Sequence, residues 1–273
     1  FEAVPSYAQD TARYLEMKYA HWKPDVICAD RAVTGLYARY LSEVFKDVPC
    51  FVDLNRVNGA FPVGAQFKSR ILSTTAADFE KNIAMILNVR PRTRSVVVVI
   101  GASKEERRVA AEVEKTAARY AGRISFSFTS GLSHAALLEQ VAALPAEQAI
   151  VFLRFALDSD GISFVPAQVA REIAQRARAP VFVAARQLIG DGAVGGYVLN
   201  FELVGQRTAL LLLDALAGGR PSETSPIDSV SEYVFDRRAF ERFGIPESAL
   251  PPGSRILFQD KTLWERYKFY IVS

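Results

Sequence analysis

Histidine, cysteine, methionine and tryptophan are scarce in this chain, which has two of each among its 273 residues. His21 and His134 do not combine with Cys28 and Cys50 into the spacing of a zinc site, so the sequence predicts no metal site. The motifs of common enzymes are missing too: there is no G-x-S-x-G, no G-x-x-x-x-G-K-[ST] and no H-E-x-x-H. We therefore expect neither a cofactor nor catalytic residues in this chain.

An excess of charge of one sign is also missing. The formal net charge is +3 and the Lys and Arg residues are dispersed, which argues against nucleic acid as a partner. No stretch approaches the roughly 18 apolar residues that a membrane-spanning helix needs, and no signal peptide opens the chain. Because the chain begins at Phe1 rather than at methionine, we expect it to be a trimmed part of a longer protein. These absences therefore do not predict its location.

The two cysteines lie in apolar, strand-like stretches, Cys28 in VICAD and Cys50 in VPCFVDL. If the two strands are neighbours, an oxidising compartment would allow a disulfide between them. Two buried thiols are the favoured alternative, because a buried cysteine behaves as a small hydrophobic residue.

Apolar strand patterns alternate with amphipathic helix patterns along most of the chain. The predicted strands are 25–29, 49–54, 70–75, 95–100, 124–129, 149–154, 181–185 and 196–200. The predicted helices are 7–20, 32–46, 77–87, 104–121, 134–143, 166–177 and a last helix that ends at Gly218-Gly219. This alternation predicts an α/β fold with doubly wound, parallel sheets covered by helices. With 273 residues, the chain is long enough for two lobes.

Ligands of such sheets bind at the carboxyl ends of the strands. The polar and aromatic residues at the predicted strand ends are Asp30, Arg31, Asn55, Thr74, Ser103, Thr129, Ser130, Arg154, Phe155 and Arg186. Hydroxyls, an amide, three arginines and an aromatic ring can recognise a small molecule. Ser103 has no histidine placed to activate it. The sequence therefore predicts binding rather than turnover.

Arg154 and Arg186 each follow an apolar strand, so each begins near a buried position. An arginine there can bind a carboxylate with two parallel hydrogen bonds. The alternative is a structural ion pair with an acid such as Asp158 or Asp191. Asp158 and Asp160 themselves could serve acid–base chemistry or bind a cation, but the sequence Leu-Asp-Ser-Asp-Gly favours a turn.

Glycines are concentrated between the last two predicted strands. The sequence from Gly190 to Gly195 matches the letters of the dinucleotide fingerprint G-x-G-x-x-G. That motif requires glycines directly after a strand and at the start of a helix, whereas here a strand follows them. We therefore favour a turn or hinge loop, with Gly195 and Gly196 as the hinge.

Residues 142–221 resemble the ABC-transporter substrate-binding-protein-like family, and the resemblance extends over essentially the whole chain. The shared order is LP…D-x-x-G…AP-V…G-x-G-x-V-G-G…F-D…LPPGS…LWERY. Residues 233–273 resemble, more specifically, the membrane-proximal end of extracytoplasmic sensor domains in bacterial sensor histidine kinases, where a transmembrane helix follows.

The resemblance implies a type I periplasmic-binding-protein fold with two lobes joined by three crossover segments. Lobe one would comprise 1–76 and 198–220, lobe two 77–197 and 221–258, and 259–273 would be a membrane-proximal tail. The family has a further strand that would lie before residue 1. A small polar or anionic ligand would bind in the cleft between the lobes, although Phe155 and Tyr197 would tolerate an aromatic one.

The tail distinguishes two versions of this family. Trp264, Tyr267 and Tyr270 alternate with lysine and arginine, which suits a membrane interface. An amphipathic helix folded back on the lobe is the alternative. We therefore expect a periplasmic, membrane-anchored sensor domain whose parent is a histidine kinase, with a transporter's binding protein as the alternative. An enzyme or a transcription regulator of the same fold is a third class, and a homodimer is left open.

Overall fold

The computed structural model describes residues 5–29, 31–52, 67–70, 75–219 and 230–259. Contacts divide the chain into two compact units. Unit 1 comprises Phe1–Thr74 and Phe201–Val230, and unit 2 comprises Thr75–Asn200 and Ser231–Ser273. In this division the chain changes from one unit to the other after Thr74, after Asn200 and after Val230.

The described residues contain helices and strands in the order expected of an α/β protein. The helices are α1 (Pro5–Lys18), α2 (Arg31–Leu36), α3 (Thr75–Val89), α4 (Lys104–Ala117), α5 (His134–Ala143), α6 (Pro166–Arg176), α7 (Phe201–Leu216) and α8 (Arg237–Arg242). The strands are β1 (Ile27–Ala29), β2 (Cys50–Val52), β3 (Phe67–Arg70), β4 (Ser95–Ile100), β5 (Ser125–Phe128), β6 (Ala149–Arg154), β7 (Val181–Val183), β8 (Gly195–Leu199), β9 (Ser231–Asp236) and β10 (Arg255–Leu257).

Unit 1 contains a parallel three-stranded sheet in the order β1-β2-β3. Helix α2 continues as a π-helical turn over Tyr37–Leu41. Ala8 and Ala12 of α1 pack with Leu41, Phe45 and other apolar side chains into the core of this unit. Helix α7 also belongs to unit 1, and none of its residues is buried.

Unit 2 contains a seven-stranded sheet in the order β10-β9-β8-β7-β6-β4-β5. Strands β4 to β8 run parallel, β9 runs antiparallel to β8, and β10 runs parallel to β9. The carboxyl ends of β4 to β8 therefore lie at one edge, together with the amino end of β9. We call this edge the carboxyl edge.

Helices cover both faces of this sheet. Val96 and Val98 of β4 pack in the cluster that contains side chains of α3, α4 and α8. Val97 and Val99 pack in the opposite cluster, with side chains of α5 and α6. Successive residues of a strand point to opposite faces, so a strand that is apolar throughout must be covered on both sides. The valine run of β4 thus explains the three-layered arrangement.

The sequence prediction missed two strands. β9 and β10 were not predicted, because β9 includes Glu232 and Asp236 and β10 has only three residues. As β9 reverses direction, the sheet is mixed rather than wholly parallel. Of the strand predicted at 70–75, Arg70 lies in β3 and Thr75 begins α3. Residues 71–74 lie outside the described residues.

The two cysteines are thiols rather than a disulfide, with Cys28 exposed and Cys50 buried. Cys50 pairs with Ile27 across β1 and β2, so the two thiols are on opposite faces of the sheet. Burial raises the pKa of the Cys50 thiol to about 12. The buried-thiol prediction is confirmed for Cys50 and wrong for Cys28.

Candidate functional site

The structure brings six of the ten predicted site residues to the carboxyl edge of unit 2. They are Ser103, Thr129, Ser130, Arg154, Phe155 and Arg186, and they lie at or after the ends of β4, β5, β6 and β7. Asp30, Asn55 and Thr74 lie outside the described residues. Arg31 begins α2, but the position of its side chain is outside the description.

One buried carboxylate ties two loops of this edge together. Glu106 is 1% exposed. Its Oε1 accepts a hydrogen bond from the backbone N of Ala156 at 2.6 Å, and its Oε2 accepts one from the backbone N of Ser103 at 3.1 Å. Ser103 Oγ in turn accepts from the Glu106 backbone N at 3.2 Å, which completes a capping box at the start of α4. Ser103 therefore caps a helix.

Thr129 and Phe155 lie beneath the surface of the edge. Thr129 is fully buried, and its hydroxyl accepts from the N and donates to the O of Ile100, each at 3.0 Å. Phe155 is also fully buried, with its ring centroid 6.0 Å from that of Phe164 and 6.4 Å from that of His134. Both side chains have structural roles and are inaccessible to a ligand in this structure.

Asp158 organises the loop after β6. Its carboxylate accepts hydrogen bonds from the backbone N of Asp160 at 3.0 Å, Ile162 at 2.9 Å and His134 at 3.1 Å. Burial alone would raise the pKa of Asp158, but these three donors and the nearby His134 outweigh it and hold the pKa below its usual value. The turn interpretation is therefore confirmed for Asp158.

Arg154 presents its guanidinium to solvent. Its side chain is 57% exposed, and its Nε lies 4.0 Å from Oε1 of Glu106. Both oxygens of Glu106 already accept backbone hydrogen bonds, so this carboxylate engages Arg154 only through a long ion pair. The guanidinium therefore retains donors that an anionic group could use.

Arg186 has an ion-pair partner that the sequence analysis missed. Its Nη1 lies 3.6 Å from Oε1 of Glu232, which also accepts a hydrogen bond from Nδ2 of Asn200 at 2.7 Å. Both arginines thus have an ion pair, as the structural alternative expects, but with Glu106 and Glu232 rather than with Asp158 or Asp191. Asp191 pairs with Arg171 at 3.0 Å. Glu232 escaped prediction because it lies on β9, whose amino end the antiparallel pairing brings to this edge.

A tyrosine–lysine group lies on the α3 side of the sheet and was also missed. The ring centroids of Tyr197 and Tyr233 are 4.8 Å apart. Lys81 lies 4.2 Å from the Tyr197 centroid, and its Nζ donates to the Tyr197 hydroxyl at 2.9 Å. That hydrogen bond is the main cause of the raised pKa of Lys81. Lys81 and Tyr197 are 116 positions apart, so no local signal in the sequence could pair them.

The predicted hinge glycines have a packing role. Gly195 and Gly196 lie in β8, between β7 and β9. A Cβ at Gly195, whose φ is +126°, would overlap the carbonyl of Val234, and one at Gly196 would overlap the carbonyl of Val183. Their hinge role stays a prediction. The fingerprint is accidental, as we expected, because a strand and not a helix follows these glycines.

Within the described ranges, no group of three or more His, Cys, Asp or Glu side chains could hold a metal ion. In that same part of the chain, no helix is long and apolar enough to cross a membrane. Unit 1 contains an apolar cavity of about 510 Å³, lined by α1, β1, α2 and the π-helical turn. The described residues that line the cavity include none of the predicted site residues.

Neither a protein-family model nor a curated protein sequence matches the chain. Solved structures do match its fold. A ligand-free, open substrate-binding protein with adhesive properties from Clostridium difficile aligns with a TM-score of 0.65 and 13% identity, covering 92% of this chain and 84% of that one. An ABC domain in complex with L-Trp from Streptococcus pneumonia aligns with a TM-score of 0.59 and 15% identity, covering 91% of this chain and 86% of that one.

A third match has a different biological role. A LacI family transcriptional regulator from an Arthrobacter species, in complex with lactose, aligns with a TM-score of 0.50 and 14% identity, covering 80% of this chain and 78% of that one. At such identities the likeness shows the fold alone. The mixed α/β, type I periplasmic-binding-protein-like fold is therefore confirmed.

Proposed function

We propose that this chain binds a small molecule and that Arg154 and Arg186 contact it at the carboxyl edge of unit 2. The observation that carries the proposal is the position of these arginines at the carboxyl ends of neighbouring strands, with Arg154 ending β6 and Arg186 three residues after β7. Phe152 of β6 pairs with Val183 of β7, and Ala184 N donates to Phe152 O at 3.2 Å. Each arginine lies near one carboxylate oxygen that also accepts a hydrogen bond from another donor, Oε1 of Glu106 for Arg154 and Oε1 of Glu232 for Arg186. Two such guanidinium groups suit a ligand with an acidic or polar group.

The chemistry of this edge favours binding over turnover. Ser103 Oγ accepts from the backbone of α4, and Nε2 of His134 lies 3.3 Å from Oε2 of Glu172. Ser103 thus has a structural role as a helix cap. A ligand-binding role requires recognition only, and the exposed Arg154 supplies it.

The sensor role is the finer part of the proposal. The sequence of 233–273 resembles the membrane-proximal end of histidine kinase sensor domains, and its tail combines tryptophan and tyrosine with cations. In this proposal, the ligand binds between the lobes of an extracytoplasmic domain and shifts an open–closed equilibrium by its differential affinity for the two forms. The tail passes that shift toward the membrane.

A substrate-binding protein of an ABC transporter is the alternative. The matched substrate-binding protein and the matched L-Trp-bound ABC domain support it as well as they support a sensor. A reading frame that ends soon after Ser273 would favour the transporter protein. Ligand-dependent autophosphorylation of the full-length protein in membrane vesicles would favour the sensor, and a full-length protein without kinase activity would contradict it.

A thermal-shift screen tests the binding proposal. The purified chain is heated with amino acids, small organic acids, aromatic acids and nucleosides. A ligand at about 100 times its dissociation constant adds roughly 2.7 kcal/mol to the free energy of unfolding. We expect Arg154→Ala and Arg186→Ala to abolish that shift. Arg119→Ala is the matched control. Arg119 lies just after α4, its side chain is 67% exposed, and it also forms an ion pair, with Glu80 of α3.

Two results would contradict the proposal. A ligand that still shifts both arginine variants would place the site elsewhere. The absence of any shift across the four classes of compound would argue against a small-molecule ligand of this chemistry.

A further inference from the structure

Phe258 is held in a backbone conformation that an aromatic residue rarely adopts. Its φ is +56°, and among the described residues it is the only one other than glycine that has a positive φ. Such a conformation is unfavourable for a residue with a Cβ and persists only where surrounding contacts impose it. Phe258 directly follows β10 and directly precedes the segment 259–273.

The ring of Phe258 lies between two groups. The guanidinium carbon of Arg238 is 3.9 Å from the ring centroid, which is the geometry of a cation–π contact. On Gly190, a Cβ would lie 3.2 Å from Cζ of Phe258. A side chain at position 190 would therefore crowd the ring, and only glycine leaves room for it. The φ of Gly190 is +125°.

Hydrogen bonds to Asp236 and Gly190 hold the Arg238 side chain in place. Its Nε and Nη2 donate to the two carboxylate oxygens of Asp236 at 3.0 and 2.6 Å, and Nη2 also donates to the Gly190 carbonyl at 2.9 Å. Asp236 is 1% exposed and pairs with Leu257 of β10. The bidentate contact fixes the plane of the guanidinium. A continuous stack thus runs from a buried carboxylate at the end of β9 to the 48%-exposed ring of Phe258.

We infer that Asp236, Arg238 and Phe258 form an anchor that fixes the direction in which Gln259 leaves β10. The stack lies at the edge of the sheet opposite the carboxyl edge, where β9 and β10 end. The consequence for signalling rests on the proposed sensor function. In that case the root of the tail turns together with unit 2 as one body, and the anchor carries the motion to 259–273.

The anchor can be tested without a ligand. The full chain carries two substitutions, Gln259→Cys to attach a nitroxide spin label and Cys28→Ser to remove the exposed native thiol. The remaining native thiol, Cys50, is buried. In the parent we expect a slow-motion component in the paramagnetic resonance spectrum. Phe258→Asn tolerates the left-handed backbone but removes the ring. Arg238→Lys keeps the charge but removes the bidentate fork. Each should lower the ratio of slow to fast component at least about fivefold.

Two further variants serve as controls. Phe258→Tyr keeps the ring and should retain the parent spectrum. Arg242, on the same helix as Arg238, has its guanidinium 5.1 Å from the ring of Phe243. Arg242→Ala removes that guanidinium and should also leave the label unchanged. Circular dichroism at the same temperature verifies that each variant is folded.

If Phe258→Asn gave the same spectrum as the parent, the inference would be overturned, because the backbone alone would then hold the segment. An equal release in Arg242→Ala would overturn it as well, because the effect would then come from general loosening of α8. Since no ligand is used, failure of the binding screen leaves this result intact. Conversely, spectra that contradict the anchor would not contradict the binding proposal.

Discussion

The carboxylate of Glu106 accepts a hydrogen bond from the backbone N of Ala156 at 2.6 Å, across 50 positions of sequence. The same carboxylate accepts from Ser103 N, so one side chain joins the loop after β4 to the loop after β6. Gly101 makes room for it, because a Cβ there would lie 2.6 Å from Glu106 Oε2. The proposed contact residue Arg154 lies above this junction.

Replacing Glu106 should therefore destabilise unit 2. Glu106→Ala leaves two backbone donors without their acceptor, which we expect to lower the free energy of unfolding by roughly 2–4 kcal/mol. Urea unfolding followed by circular dichroism measures the change. Glu114→Ala, an exposed glutamate of the same helix, should change it by less than about 0.5 kcal/mol. Equal effects of the two substitutions would show that the junction contributes nothing.

Asp158 should make stability depend on pH in the acid range. Its pKa is lowered in the folded state from an ordinary value of 3.8, so its ionised form stabilises the fold at pH values above 3.8. That stabilisation is lost as the pH falls through the lower folded pKa. We expect the difference in unfolding free energy between the parent and Asp158→Asn to be largest near neutral pH and to shrink below pH 4.

Denaturant unfolding at several pH values measures this difference. Asp160→Asn is the matched control, because Asp160 is exposed in the same turn. A difference between the parent and Asp158→Asn that stays constant from neutral pH to pH 2 would contradict the prediction.

The packing role of the β8 glycines predicts a loss of stability rather than a change in hinge motion alone. Gly195→Ala and Gly196→Ala introduce overlaps with strand carbonyls on β9 and β7, and we expect each to cost roughly 3 kcal/mol or more. Gly205→Ala meets nothing within 4 Å on helix α7 and should instead stabilise by about 0.5–1 kcal/mol. Thermal unfolding compares the three. A β8 variant as stable as the parent, but altered in ligand-induced compaction, would favour a hinge.

The cysteines should differ in reactivity. At pH 8, Ellman's reagent should modify one thiol of the native protein rapidly and the second only after unfolding, because Cys28 is exposed and Cys50 is buried with a raised pKa. Cys28→Ser should abolish the rapid phase and Cys50→Ser should preserve it. A protein that releases no thiol until a reductant is added would instead contain the disulfide.

Apolar strands were predictable from local sequence, and the partners of charged residues were not. The run SVVVVI must be covered on both faces wherever it folds. By contrast, the partner of Arg186 depends on the direction of β9, and the sequence analysis did not predict that strand at all. Thr129 and Phe155 occupy predicted strand ends, but only packing decides that both side chains point inward.

The sequence by itself determined that this chain forms an α/β fold, where most of its helices and strands lie, and which loops collect at the carboxyl ends of the strands. These follow from hydrophobic periodicity and turn residues, which act over a few positions. The tertiary structure alone decided that Glu106 bridges two loops, that Lys81 meets Tyr197, and that Arg238 holds Phe258 against Gly190. Such contacts join residues as far as 116 positions apart, and they arise because close packing of distant elements, rather than local preference, sets which side chains meet.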